Sequence, residues 1–292
     1  MTIKRAKTIQ IFLPSGDPLG IREAQITTDL MRVMEIPRTA EHLSEYYDMP
    51  ESQGSAVYFL VESESEEAKR RVYIGQTTDV KKRFGKHLGE KSFWHKALVA
   101  QSRAESLSSA HIIYLERMCI ERAKAAGRFA VHNGNDGQKA LPTKQLRAEC
   151  EDLFETIQLL LATLGHDLFS PKVSPTEPIY RCTMAGTDAL AQYSTEGMTV
   201  LKGSKARLQV TPSFEGKSFF QTRAKLIQNG ILTEQDGHLV FTEDYTFGSP
   251  SSAASITVGN NANGWTVWKT DDGKTLDEVI RKALGAPPAP AD

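Results

Sequence analysis

The chain has 292 residues, of which 40% are hydrophobic and 24% charged, with a formal net charge of -1. That balance excludes a polycation that binds nucleic acid through its overall charge and fits an ordinary globular protein of one large domain or two to three small ones. Three scattered cysteines (Cys119, Cys150 and Cys182) exclude a disulfide framework or a cysteine zinc site and point to a reduced, cytoplasmic chain, while no stretch has the about 18 apolar residues of a membrane helix.

Residues 1–53 read as an N-terminal extension. Residues 8–13 alternate polar and apolar as a half-buried strand does. Gln10 interrupts the apolar start, so a strand is expected there and not a signal peptide. Pro14 to Pro18 form a turn, and residues 21–34 are expected to hold a strand and a short helix.

Residues 54–140 form a second unit. A strand is expected over 56–62, a polar hairpin loop over 62–67 and a return strand over 71–76. Residues 80–88 read as a helix with Asp79 as its N-cap. Residues 93–99 read as a helix or strand. A longer helix is expected over 108–126, where Ile112, Leu115, Cys119, Ile120 and Ala123 recur at helical spacing. Gly127 ends it, and 128–132 return as a strand.

Residues 141–169 carry an apolar helical stripe that suits packing or connecting. The Pro/Ser-rich stretch 170–178 reads as a linker. Residues 179–284 are expected to form a small C-terminal α+β domain. Its strands include 179–184, 198–201, 207–210 and 265–269, and its helices 218–229 and 276–283. The Ala/Pro tail 285–292 is disordered by composition. The expected fold class is α/β (α+β): a small hairpin-led mixed sheet flanked by helices, with a strand-containing N-terminal extension and a separate C-terminal domain.

The near-neutral total hides two basic clusters. Residues 69–96 hold nine Lys/Arg against two acids, including Lys81, Lys82 and Lys86. Residues 198–225 hold six against one, with Lys202, Lys205, Arg207 and Arg223 among them. Such clusters suit polyanions. Trp265 and Trp268 are candidates for stacking on a base, although strand alternation would turn one of them inward.

The first cluster overlaps a set of residues with chemistry. Val57-Tyr58-Phe59-Leu60 and Val72-Tyr73-Ile74-Gly75 stand close together, followed by Arg83, His87, a lone Glu116 in an apolar helix, and Asn133. Phosphodiester hydrolysis needs an activated water, a cation on the phosphate and help for the leaving oxygen. A single glutamate such as Glu116 can hold one Mg²⁺ or Mn²⁺ that keeps several waters. Arg83 suits a phosphate grip through its planar fork. Tyr58 or Tyr73 can shuttle a proton if nearby cations lower a phenol pKa from about 10, and Arg83, His87 and the metal are the candidates for that field.

This pattern resembles the GIY-YIG nuclease domain over residues 54–140. Ala56-Val57-Tyr58 corresponds to the first named motif, with Ala56 in place of its glycine and Gly54 two residues earlier; Tyr73-Ile74-Gly75 corresponds to the second. The resemblance implies that Tyr58 is the general base, with Tyr73 sharing its proton. It implies that Arg83 and His87 contact the phosphate, that Glu116 is the metal ligand and that Asn133 buttresses the site, with Asn135 as its alternative. The flanks are similar to those of bacterial GIY-YIG proteins that carry a small uncharacterised C-terminal domain. The implied function is a metal-dependent endonuclease cutting DNA, in defence against foreign or modified DNA. A double-strand break from one such site implies a homodimer or two successive nicks. A non-catalytic nucleic-acid-binding protein and a repair or RNA-directed nuclease are the alternatives.

Overall fold

The computed structural model of the protein describes residues 6–63, 70–104, 106–134, 142–216, 218–280 and 285. Most of the expected 62–67 loop, Lys69, Asn135, Lys217, the end of the last helix and the tail lie outside the described residues. The chain divides into two compact units, Met1–Pro171 and Lys172–Asp292, both of mixed α and β structure.

The first unit runs β1 (Ile9–Phe12), β2 (Arg22–Ile26), β3 (Met31–Pro37), α1 (Ala40–Asp48), β4 (Gln53–Val61), β5 (Arg71–Asp79), α2 (Val80–Glu90), β6 (Lys96–Ser102), α3 (Ser109–Ala126), β7 (Ala130–Val131) and α4 (Lys144–Thr163). Its strands form one sheet in the order β1-β2-β3-β6-β4-β5-β7. All pairings are antiparallel except β5 with β7.

Residues read from sequence as an extension of their own thus supply three strands to the sheet that carries β4 and β5. The short helix expected within 21–34 is strand instead. Met31 and Val33 point into one core and Met34 and Ile36 into the other, and the β2–β3 turn is held by Asp29 Oδ1 accepting from Met31 N–H at 3.0 Å. A strand pairing between neighbours on both sides overrides a short helical pattern.

Strand β4 shows why its run reads as nearly continuous apolar sequence. Val57, Phe59 and Val61 pack into a core with α3 and α4, while Ala56, Tyr58 and Leu60 pack into a second core with α1 and α2. A strand covered on both faces has no polar alternation to show. Helix α4 belongs to the first of these cores, burying Cys150, Phe154, Ile157, Leu160 and Leu161. It is part of the first unit and not a connector beyond it.

One buried polar group breaks the apolar pattern. Glu35 on β3 accepts from Arg22 at 2.8 Å, Lys96 at 2.8 Å and His166 at 2.7 Å. Burial pushes this carboxyl up, but the hydrogen bonds from His166, Arg22 and Lys96 override it and hold the group at about 2.

The second unit runs β8 (Ile179–Cys182), β9 (Ala189–Ser194), β10 (Gly197–Val200), β11 (Lys205–Arg207), α5 (Ser218–Gln228), β12 (Leu232–Gln235), β13 (His238–Phe241), β14 (Tyr245–Phe247), α6 (Pro250–Val258), α7 (Gly264–Val267) and α8 (Leu276–Ile280). It contains sheets β14-β10-β9-β8 and β11-β13-β12. The strand expected over 265–269 is helix α7 in its first residues. Asn263 Oδ1 caps it by accepting from Trp265 N–H at 3.0 Å. Gly264 lies so close to the Pro250 carbonyl that a Cβ would sit 2.1 Å from its oxygen. Trp268 is fully buried, its indole N–H donating to Pro250 O at 3.1 Å, and Trp265 packs against Tyr193 with ring centroids 5.6 Å apart. Of the two candidates for stacking, Trp268 is therefore the one turned into the core.

Candidate functional site

The site grows out of the outer edge of β5. Strand β7 pairs with it only at Arg71 and Val72, and His132 N–H donates to Val72 O at 2.7 Å. Along one edge of a strand every second residue presents its backbone groups, so Ile74 and Gln76 come next. Asn133 serves Ile74 as a strand would: its Nδ2 donates to Ile74 O at 2.7 Å and its Oδ1 accepts from Ile74 N–H at 3.1 Å. Glu116 on α3 is set beside the Gln76 backbone N–H, close enough for that amide to draw its carboxyl pKa down. Two residues far apart in sequence are thereby fixed against neighbouring positions of one strand.

Tyr58 is the hub on the α2 side of the sheet. It stands opposite Gly75 in the β4–β5 register, and its phenol crosses that position: a Cβ on Gly75 would lie 2.4 Å from the hydroxyl. Glycine at 75 is what lets the phenol reach α2. That helix starts where Asp79 Oδ1 accepts from Lys82 N–H at 2.9 Å. Arg83 and His87 are one helical turn apart and so share a face. Arg83 Nε donates to the Tyr58 hydroxyl at 2.9 Å, and His87 Nε2 lies 2.7 Å from the same oxygen. Tyr73 completes the group, its ring centroid 6.2 Å from that of Tyr58 and 5.3 Å from that of His87.

The electrostatics fix the protons. Burial, then the charges of Arg83 and Lys91, pull His87 down to about 4, so the imidazole is neutral at pH 7 and its Nε2 accepts the Tyr58 proton. Its Nδ1 lies 4.0 Å from Glu90 Oε2. Burial pushes the Tyr58 phenol well above the usual tyrosine value despite the Arg83 hydrogen bond. Tyr58 is fully buried while Tyr73 is half-buried, so Tyr73 is the phenol of the pair that meets solvent. Burial also raises Glu116, against the pull of the Gln76 amide and the Arg83 charge.

No group of three or more His, Cys, Asp or Glu suited to a metal occurs among the described residues. Glu116 alone offers a carboxylate beside Arg83. That donor set fits a hard cation held by one carboxylate, its remaining positions filled by water and substrate oxygens; it does not fit a dedicated protein cage.

Around this core, Lys81, Lys82 and Lys86 are exposed on α2. Lys81 Nζ donates to Tyr47 O at 3.4 Å, and Lys86 Nζ lies 3.6 Å from Glu90. Lys91, not singled out in the sequence, caps α2 and sets its Nζ 4.1 Å from the centroid of the Tyr73 ring. Its spacing of one turn from His87 was the available signal.

In the second unit Lys202 and Lys205 are exposed and Arg207 is half-buried. Arg223 is different. It is 2% exposed and donates to the carbonyls of Ile256, Arg207 and Leu208. Burial, then the nearby Arg207 charge, pulls its guanidinium down to about 10. On α5 it shares the inward face with Leu226 and ties off the Ile256 carbonyl near the end of α6 and the Arg207 and Leu208 carbonyls at the end of β11. It is a structural clamp, and the expectation that it contacts nucleic acid is corrected.

The family described as "Domain of unknown function (DUF4357)" matches residues 180–280, a stretch lying within the second unit and running from β8 to the end of α8. No curated protein and no solved structure matches the chain. Among the described residues, no helix is long and apolar enough to cross a membrane.

Proposed function

We propose that the chain is a divalent-metal-dependent endonuclease of the GIY-YIG type that hydrolyses DNA phosphodiester bonds. One observation carries this reading: the Tyr58 hydroxyl, bonded at once to Arg83 and His87, shares a neighbourhood with Tyr73 and, through Arg83 and Gln76, with Glu116. Six residues, from two strands, two helices and the segment that follows β7, gather around this edge of the sheet, and each suits a part of one reaction.

Glu116 would hold Mg²⁺ or Mn²⁺, which supplies a polarised phosphoryl oxygen and an acidified water. Arg83 keeps two guanidinium nitrogens beyond its Tyr58 bond for a phosphate oxygen and the charge that builds there. Tyr73 receives the proton of the attacking water. Tyr73 passes its own proton to Tyr58, and Tyr58 passes its proton to the neutral His87 Nε2. This relay keeps the expected sharing of a proton between Tyr58 and Tyr73 but gives the buried His87 a proton to accept where a phosphate contact was expected, because a buried phenol with a raised pKa holds its proton unless another base takes it. Asn133 keeps Ile74, and with it the flanking Tyr73 and Gly75, in register. Lys81, Lys82 and Lys86 on the first unit and Lys202, Lys205 and Arg207 on the second suit phosphate contacts outside the site.

A supercoiled-plasmid nicking assay with Mg²⁺ or Mn²⁺ tests the reading. Nicking by the wild type and none by Glu116→Ala is the expected result. A second reading, a nucleic-acid-binding protein without cleavage, is favoured by the single carboxylate at the site, and tight plasmid binding without nicking in either metal would establish it. Matched DNA and RNA digestions decide the substrate.

A further inference from the structure

Beside the site, on the same face of the sheet, lies a cavity of about 900 Å³ whose walls include Arg32, Tyr47, Glu51, Gln53, Gln101 and Arg103. Such a volume falls in the range of about 300–1,000 Å³ usual for small-molecule pockets. It opens where β4 begins. There the β4–β5 register shifts between Gln53 and Ala56, and Gly54 adopts a φ of +99°. The bulge separates the strands three residues before the cavity face of β4 reaches Tyr58. Bulges of this kind recur next to active sites.

Three polar groups of the wall carry buried atoms with no hydrogen-bond partner among the described residues: Gln101 Oε1, Arg32 Nε and Tyr47 OH. Gln101 itself is 96% buried, at 4% exposure. Its other amide atom, Nε2, donates to Gln53 O at 3.3 Å, which orients the oxygen. Arg32 NH1 is held by Glu51 at 3.0 Å, which leaves Nε as the unsatisfied donor. Unpaired buried polar atoms are rare and costly, and here three residues in the wall of one cavity each hold such an atom beneath its surface, where only a side-chain turn brings it to a ligand.

The mixture of groups selects the ligand class. Two arginines face two acids, Asp48 and Glu51, on the same wall, so a bare anion gains little net attraction. A neutral heterocycle that offers an acceptor beside a donor meets Arg32 Nε and Gln101 Oε1 together after a small side-chain turn. Its exocyclic amino group finds the Glu51 carboxylate. Cytosine, adenine and guanine carry that pattern on their pairing edges.

The surroundings say how such a base arrives. Gln53 and Gly54 also border a shallower depression lined by Thr78, Asp79, Lys81 and Lys82. That depression lies at the first turn of α2, the helix that carries Arg83. A strand with phosphates along Lys81, Lys82 and Arg83 would have one nucleotide at the mouth of the cavity.

We infer that this cavity takes one amino-bearing nucleobase, turned out of the stack of the strand being cut, and that Gln101, Arg32 and Tyr47 read its pairing edge. The inference rests on the nuclease reading for the presence of DNA but not for its own readout. Enzymes that engage a base in a pocket extrude it from the duplex and read its pairing edge there.

The test uses the full chain in EDTA, so that no cleavage occurs, and duplexes with 2-aminopurine placed at successive positions of the footprint. Its fluorescence rises when the base leaves the stack. The expected result is a rise at one position with wild type, about ten-fold weaker affinity for Gln101→Leu and a smaller loss for Tyr47→Phe, each variant deleting about one hydrogen bond. Gln101→Leu should melt near the wild-type temperature, because it removes an unsatisfied buried oxygen along with the single bond to Gln53 O; Tyr47→Phe, which deletes a single oxygen, guards against misfolding. Fluorescence that stays quenched at every position, absence of DNA binding, or an unchanged rise in both variants overturns the inference. Nicking activity with no fluorescence rise would sink the base pocket and leave the nuclease standing. A rise without nicking in any metal would do the reverse.

Discussion

Two buried polar networks share the sheet of the first unit, and each centres on one oxygen-bearing side chain flanked by an arginine and a histidine. At Glu35 the central group is charged, and Arg22, Lys96 and His166 all bond to it. At Tyr58 the central group keeps its proton, the histidine is held unprotonated at about 4, and Arg83 stands without a carboxylate bonded to it among the hydrogen bonds described. The first network is electrostatically complete and ties β2, β3, β6 and the end of α4 together. The second is incomplete, with a positive charge facing a half-exposed phenol and a carboxylate raised in pKa. Complete networks suit stability; incomplete ones suit a charged ligand that completes them.

The contrast can be broken most directly at Glu35. Glu35→Ala leaves three cationic or protonatable partners around an empty acceptor position and should cost about 3–5 kcal/mol of unfolding free energy in a denaturant titration. Nicking per folded molecule should persist. If Glu35→Ala melts like wild type, that network is not what holds the strands to α4. The opposite split is expected for Arg83→Ala: a fall in nicking rate of about 100- to 1,000-fold, as for removal of a group that stabilises transition-state charge, with little change in the denaturation midpoint.

Tyr58→Phe sharpens the comparison because it touches both properties. It leaves His87 Nε2 and Arg83 Nε without their partner, which should lower stability by about 1–3 kcal/mol and interrupt the relay. Circular-dichroism melts and nicking rates on the same preparation would separate the two effects. A variant that nicks at the wild-type rate would remove Tyr58 from the reaction.

The smallest effect is in pH dependence. His87 titrates at about 4 folded against 6.5 ordinarily, so the unfolded chain takes up its proton first. Stability present above pH 6.5 is therefore lost as pH falls from 6.5 toward 4. Glu35 titrates at about 2 against 4.5, so its contribution is full above 4.5 and is lost as pH falls toward 2. Urea midpoints across both windows should show two steps, and His87→Phe should flatten the upper step alone. A single step unaffected by that change would place the sensitivity elsewhere.

Much of the site was legible in the sequence because its residues occupy positions with strong local signals. Asp79 announces α2, and the turn from Arg83 to His87 follows from helical spacing. The apolar stripe around Glu116 announces α3. Charge was harder to read. Lys96 and Arg71, counted in the basic cluster, are engaged by Glu35 and Glu62, and Arg223 is sealed inside the second unit. Whether a basic residue meets solvent depends on partners nine or more positions away, which no local pattern contains. The membership of β1, β2 and β3 in the same sheet was hidden for the same reason: β3 pairs with β6, some sixty residues later in the chain. The reading of 265–269 as strand failed because a single capping amide and a missing Cβ at Gly264 outweighed β-forming side chains.

Asn133 has a further consequence for how the molecule behaves in company. A strand with bare amides is an invitation to a second molecule to add its own strand, and a reacting centre built along such a border needs that border uncovered. One side-chain amide resolves the conflict by occupying both groups of Ile74 with a plug too short to be extended. Losing it would expose the protein to self-association and fibre-like growth along the edge that borders the proposed site.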